Sequence, residues 1–205
     1  MAVSNTDDFL IRLIKGCVQL GLAPEIYNTV NMVPVDHVAH IIAASALYSL
    51  KEGTYTVHVT GHPRSRFVDI LSALSIYGFA VSTTDYVPWR IALERYTVRE
   101  SKDNALYPLL HFVLDDLPQS TKAPELDDRN AQAILKLDTN PADTASYERT
   151  GVTTEEMGLY LAYLVGIGFL NPPQAVAQRD LPKIEIDRRI LEKLRTVGGR
   201  GAKSA

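Results

Sequence analysis

Cysteine is nearly missing from this 205-residue chain. Its single thiol, Cys17, has no internal partner for a disulfide and cannot build a thiolate zinc site, so a reducing compartment fits. Long apolar runs are missing too: the stretch Ile41 to Leu47 is far too short to span a bilayer, and no segment pairs a basic start with the apolar core of a signal peptide. The expectation is a cytoplasmic protein without a membrane partner. No excess of one charge is present either. Twenty-one basic against 24 acidic residues leave a net charge of -3, which argues against a nucleic-acid surface or a polybasic anchor. No internal repeat or heptad array is visible, which sets aside solenoids and coiled coils.

Two further absences concern chemistry. None of the 12 glycines forms G-x-G-x-x-G between a strand and a helix, the arrangement that lets backbone amides approach a pyrophosphate; the nearest cluster, Gly198, Gly199 and Gly201, lies in the tail. None of the 10 tyrosines has a lysine four positions later, so the helical Tyr/Lys pair that makes a phenol a proton donor is missing as well. From these residues alone, no cofactor cradle and no catalytic acid is expected within the chain.

What is present is an ordinary soluble composition, 46% apolar and 22% charged, enough for a sizeable core. Thr6, Asp7 and Asp8 precede the apolar stripe Phe9, Leu10, Leu13, Ile14, Cys17 and Leu20, and Gly21 and Pro24 close the helix. "TVNMVPV" at 29–35 predicts a strand, with Asp36 capping a helix from His37 to Leu50, and "GTYTVHVTG" at 53–61 predicts a second strand. Two strands around one helix make a parallel βαβ unit. Beyond it, "RSRFVDILSALSIYGF" is helical with Phe67, Ile70, Leu71, Leu74 and Tyr77 on one face, and "FAVST" a short strand. A helix starts near "TDYVPW", with Asp85 as cap and Pro88 in the first turn. "NALYPLLHFVLDDLP" is helical with Pro118 after its end. "QSTKAPELDDRNA" is a loop, the final helix opens on a Thr153/Glu156 capping box, and the tail "GGRGAKSA" is disordered.

Each candidate side chain has a plainer reading beside the sharp one. His37 and His40 are three apart on a helix, but no acid or thiol stands at ligand spacing nearby, so helix packing is favoured over a metal. His58, His62 and His111 read as structural histidines, Asp36 as a cap, Trp89 as a core anchor, and Asp115 with Asp116 as a solvated helix end. Asp127 and Asp128 form a carboxylate pair, but neighbours in a loop seldom converge, and Arg129 stands ready to neutralise one of them. No catalytic, cofactor-binding or metal residue is assigned.

The stretches "SNTDDFLIRLIKGCVQLG", "NTVNMVPVDHVAH", "VTGHPR", "NALYPLLHFVLDDLPQSTKAPELDDRNA" and "GVTTEEMGLYLAYLVGIGFLNPP" resemble the C-terminal end of the fungal α-aminoadipate reductase family. "RFVDIL", "DYVPW" and "LYPLLHF" more loosely resemble the terminal thioester reductases of carboxylic acid reductases and nonribosomal peptide synthetases. The resemblance implies an NADPH-dependent reductase of extended short-chain dehydrogenase type, reducing a carrier-bound aminoadipoyl thioester to the semialdehyde in lysine biosynthesis. Phosphopantetheine would be on the carrier, and no cofactor would be bound to this chain. The fold class it implies is α/β: a partial Rossmann-like βαβ portion at 1–62, a helical substrate lobe at 63–196 and the tail at 197–205. It also implies that the cofactor half lies upstream and that the chain is inactive alone. Asn31, Met32, Tyr86, Trp89 and His111 are the expected substrate-side residues, facing a narrow, largely apolar arm. Expected partners are the upstream half and the carrier, with self-association through open sheet edges. The alternatives are a reductase fragment of another assembly line and a non-catalytic interaction module.

Overall fold

The computed structural model describes residues 5–50, 55–99, 104–122, 124–138 and 150–186. Helix α1 (Phe9–Leu20) starts where Asp8, in extended backbone, accepts from the amides of Leu10 and Ile11, two donors that a helix start leaves unsatisfied. Gly21 ends it at a φ of 71°, in the left-handed region open to glycine. The chain then enters strand β1 (Leu22–Glu25), which the sequence did not announce: Pro24 was legible only as a residue that keeps the helix closed. β1 pairs in parallel with β4 (Ser82–Asp85), Leu22 opposite Ser82 and Glu25 opposite Asp85.

Between those strands run β2 (Thr29–Val30), α2 (Val35–Leu47), β3 (Ser65–Arg66) and α3 (Phe67–Ile76). After them come α4 (Tyr86–Arg99), a 3-10 turn at Tyr107–Leu109, α5 (Leu110–Ser120), α6 (Arg129–Asp138) and α7 (Thr154–Gly166). One main core joins α1, β1, α3, α4, α5 and α7 through side chains such as Leu13, Leu71, Leu74, Trp89, Leu117 and Leu161. A small satellite core holds Ile41 of α2 against Ala131 and Leu135 of α6. The class is therefore α/β and mostly helical, around a small parallel sheet.

Several local expectations are corrected. The βαβ unit over 29–60 does not form among the described residues: β2 is two residues long and pairs antiparallel with β3, Thr29 opposite Arg66. β2 stops because the Met32 amide turns back onto Val30 O (3.0 Å) and Pro34 has no amide to extend a ladder. Residues 55–60 form no strand because side chains take their carbonyls: Asn130 donates to Thr56 O and Asn31 to Val59 O. Helix α2 begins at Val35 behind Pro34, ends at Leu47, and uses Asp36 inside its first turn. β4 starts three residues later than the expected strand and overlaps its end, and α6 occupies part of the stretch read as loop.

Pro118 lies inside α5 rather than after it. It has no amide for Leu114 O, and Arg90 Nη1 of α4 donates to that carbonyl instead (3.2 Å). One residue earlier, Tyr86 Oη is inserted into the helix ladder, donating to Val113 O (2.8 Å) and accepting from Leu117 N (3.2 Å). The final helix has its capping box: Glu156 N donates to Thr153 Oγ1 and Thr153 N to Glu156 Oε2. Among the described residues no helix is long and apolar enough to cross a membrane. The tail Gly198–Ala205 lies outside them.

Candidate functional site

Polar side chains converge where the loop after β2 meets residues 59–62, the start of α6 and the approach to α7. Asn31 uses both ends of its amide, donating to Val59 O (3.0 Å) and accepting from Gly61 N (3.3 Å). Gly61 is required there, since a Cβ would stand 2.6 Å from Met32 O. One residue on, His62 O accepts from the amides of Thr150 (2.8 Å) and Gly151 (2.7 Å), while His62 N donates to Thr150 Oγ1 (3.0 Å).

Asp128 ties the cluster to α6. Its Oδ2 accepts from Thr60 Oγ1 and lies 2.5 Å from His62 Nε2, and its Oδ1 accepts from Gln132 Nε2 (3.0 Å). A carboxylate can only accept, so His62 Nε2 carries the proton. Burial pushes the Asp128 carboxyl up, but the hydrogen bonds from Thr60, His62 and Gln132 outweigh it and hold the group below its usual range. Asp127, one residue earlier, points elsewhere: Arg129 holds it through paired hydrogen bonds and lowers it to about 2. The two carboxylates diverge and do not form a site together. At the other end of α6, Asp138 is bonded to His40 Nε2, so a histidine–aspartate pair holds each end of that helix.

The five expected substrate-side residues fall into separate settings. Asn31 and Met32 belong to the polar cluster, Met32 half-buried against the main core. Tyr86 and Trp89 lie side by side on α4 with ring centroids 6.1 Å apart. Trp89 is 0% exposed and donates its indole N–H to Leu22 O (3.1 Å), so its side chain anchors the core. His111 is exposed on α5. Thr60, Thr150 and Arg90 escaped the sequence reading, because their partners lie 68, 88 and 24 residues away.

The starts of α1, α2, α3 and α7 do not suit a dinucleotide pyrophosphate, which needs free amides facing an anion. At α1 the Asp8 carboxylate already occupies them. At α3 the amides of Phe67 and Val68 donate to Asn28 O and Ile26 O, and Asp69 lies in the first turn. α2 carries Asp36 and α7 carries Glu155 and Glu156 in the same position. Nor is any group of three or more His, Cys, Asp or Glu placed to hold a metal ion among the described residues.

An NAD-binding family described as "Male sterility protein" matches residues 1–42. Across 197 residues the chain is 54% identical to L-2-aminoadipate reductase of Schizosaccharomyces pombe, covering 96% of this chain and 14% of that protein. It thus spans about one seventh of that relative's length. Two solved structures share the fold. The terminal R domain of the myxalamid PKS-NRPS pathway aligns with a TM-score of 0.63 at 24% identity, covering 83% of this chain and 41% of that one. A thiolation-reductase di-domain of an archaeal non-ribosomal peptide synthetase aligns with a TM-score of 0.60 at 18% identity, over 82% and 33% respectively.

Proposed function

We propose, on the premise that this chain is homologous over nearly its whole length to one segment of the fungal L-2-aminoadipate reductases, that it is the substrate- and carrier-facing part of such a reductase. The reaction is NADPH-dependent reduction of a carrier-bound L-2-aminoadipoyl thioester to 2-aminoadipate 6-semialdehyde. The observation that carries this reading is the 54% identity sustained across 96% of the chain. The fold shared with a terminal R domain and with a thiolation-reductase di-domain agrees with it. Phosphopantetheine enters as the arm of the carrier, a narrow chain that a lobe of packed helices can wall.

The chain provides neither hydride donor nor proton donor by itself. Its sequence has no strand-to-helix glycine cradle and no Tyr/Lys pair, and acidic groups stand at the starts of α1, α2 and α7. Hydride transfer needs cofactor and thioester held together, so other polypeptide must hold the NADPH.

The test uses two proteins: the 205-residue chain, and the S. pombe reductase carrying it in place of the homologous segment. NADPH oxidation is followed with an aminoadipoyl-loaded carrier. The chimera is expected to turn over and the chain alone to leave NADPH absorbance unchanged. Comparable turnover by the chain alone, or a folded chimera that does not reduce the aminoadipoyl carrier, defeats the proposal.

A further inference from the structure

Helix α2 is apolar on two sides. One side packs Ile41 and Ala44 inward, Ile41 meeting α6. The other presents Val35, Ala39, Ile42, Ala43, Ala46 and Leu47 at i, i+4, i+7, i+8, i+11 and i+12, all exposed. Val35 is 83% exposed, Ile42 64% and Leu47 76%, and no charged side chain interrupts the stripe. A helix with apolar residues on two sides normally has both of them covered in a larger structure. The three alanines also let a second backbone approach closely.

We infer that this face is the seam on which an aliphatic surface of the same polypeptide, belonging to the cofactor-holding part of the reductase, packs. The inference rests on the proposed function. Size decides against a separate partner. Thirteen residues make a helix about 20 Å long and about 10 Å wide, so covering one face buries on the order of 400 Å² in total. Stable association of separate chains buries roughly 1,200 Å² or more and must also offset the lost translational and rotational freedom. An element already tethered to the chain avoids that cost. The solved neighbours hold more than enough chain for this, since the shared fold fills only 41% and 33% of them.

The sheet edge is the weaker candidate for the seam. Ser82 N donates to Gly21 O (3.1 Å), which in a parallel ladder turns Leu22 and Pro24 toward the outer edge of β1. Along that edge Trp89 occupies Leu22 O and Pro24 has no amide, so a further strand finds little to bond.

The test is a cysteine footprint at Ala43→Cys, with maleimide labelling read by peptide mass spectrometry. Cys17 is 0% exposed and stays silent. Labelling should be fast in the isolated chain at micromolar concentration and at least tenfold slower in the chimera. Equal rates in both overturn the seam. Protection that grows with concentration of the isolated chain identifies a second copy as the occupant and overturns it too. Concentration-independent protection lost on truncation after Ile186 assigns the cover to residues 187–205, with the same result. NADPH oxidation by the chimera is measured on the same samples. An active chimera with a reactive Cys at 43 sinks the seam alone, whereas a folded, inactive chimera sinks the functional reading whatever the footprint.

Discussion

Replacing Asp128 with alanine should destabilise the chain far more than the same change at Asp127, although the two are adjacent. Asp128 has a side chain only 14% exposed and gathers Thr60, His62 and Gln132. The Thr60 and Gln132 donors contribute about 1 kcal/mol each, and the short His62 contact up to about 2 kcal/mol before discounting for its exposure to water. Since two of the bonds share one oxygen and the freed partners are partly rehydrated, the net loss is about 2–3 kcal/mol. At about 2–4 °C per kcal/mol for a chain of this size, the melting temperature falls by about 4–12 °C. The Asp127 carboxylate is solvated and its hydrogen bonds go to Arg129, two positions on, so Asp127→Ala should leave the midpoint nearly where it is. The pH dependence has a definite sign. The folded-state Asp128 carboxyl lies below its unfolded value, so its contribution is full above about pH 4 and disappears as pH falls through the folded value. Urea unfolding of both variants at pH 7 and pH 3.5 reads this directly. The reasoning fails if the two variants lose equal stability at pH 7, or if the Asp128→Ala deficit grows on acidification.

Trp89 is the chain's only tryptophan, so its emission reports on the core it anchors. Trp89→Phe keeps the ring but orphans Leu22 O, costing about 1–2 kcal/mol, whereas Trp89→Ala should cost about 3–5 kcal/mol; equal losses would mean the indole hydrogen bond contributes nothing. Burial pushes the Cys17 thiol up, and Trp89 lies beside it, so iodoacetamide at pH 8 should leave Cys17 unmodified until urea unfolds the chain. Rapid labelling of the native protein would show that the core opens there.

The elements legible in the sequence are those whose signals are local. Asp8 and Gly21 bracket α1, Gly78 follows α3 at a φ of 81°, and Thr153 with Glu156 opens α7. In each case the residues that satisfy the helix end lie within a few positions of it, so a window of sequence contains the whole argument. The same holds for the stripe Phe67, Ile70, Leu71, Leu74 and Tyr77, all buried as their spacing predicts. The helix α6 also had its signal, Ala131, Ile134 and Leu135 at helical spacing, but polar "PELDDRN" masked its start.

Tertiary structure alone decided which strands exist and what the polar residues do. The β-branched run Thr56 to Thr60 has strand propensity, but a strand needs a ladder partner, and side chains from Asn31, Asn130 and Thr150 reach its carbonyls instead. β1 has a proline and poor propensity, but it is a strand because β4 lies alongside, some 60 residues later. Tyr86 was legible as an aromatic near a helix start, but not as the hydroxyl that splices the ladder of α5. Asp128 was legible as a charge, and became the tie of α6 only once His62, 66 residues earlier, was folded against it. Propensity and capping are properties of neighbours in the chain, whereas ladder pairing and the satisfaction of buried polar groups depend on neighbours in space, which the fold alone supplies.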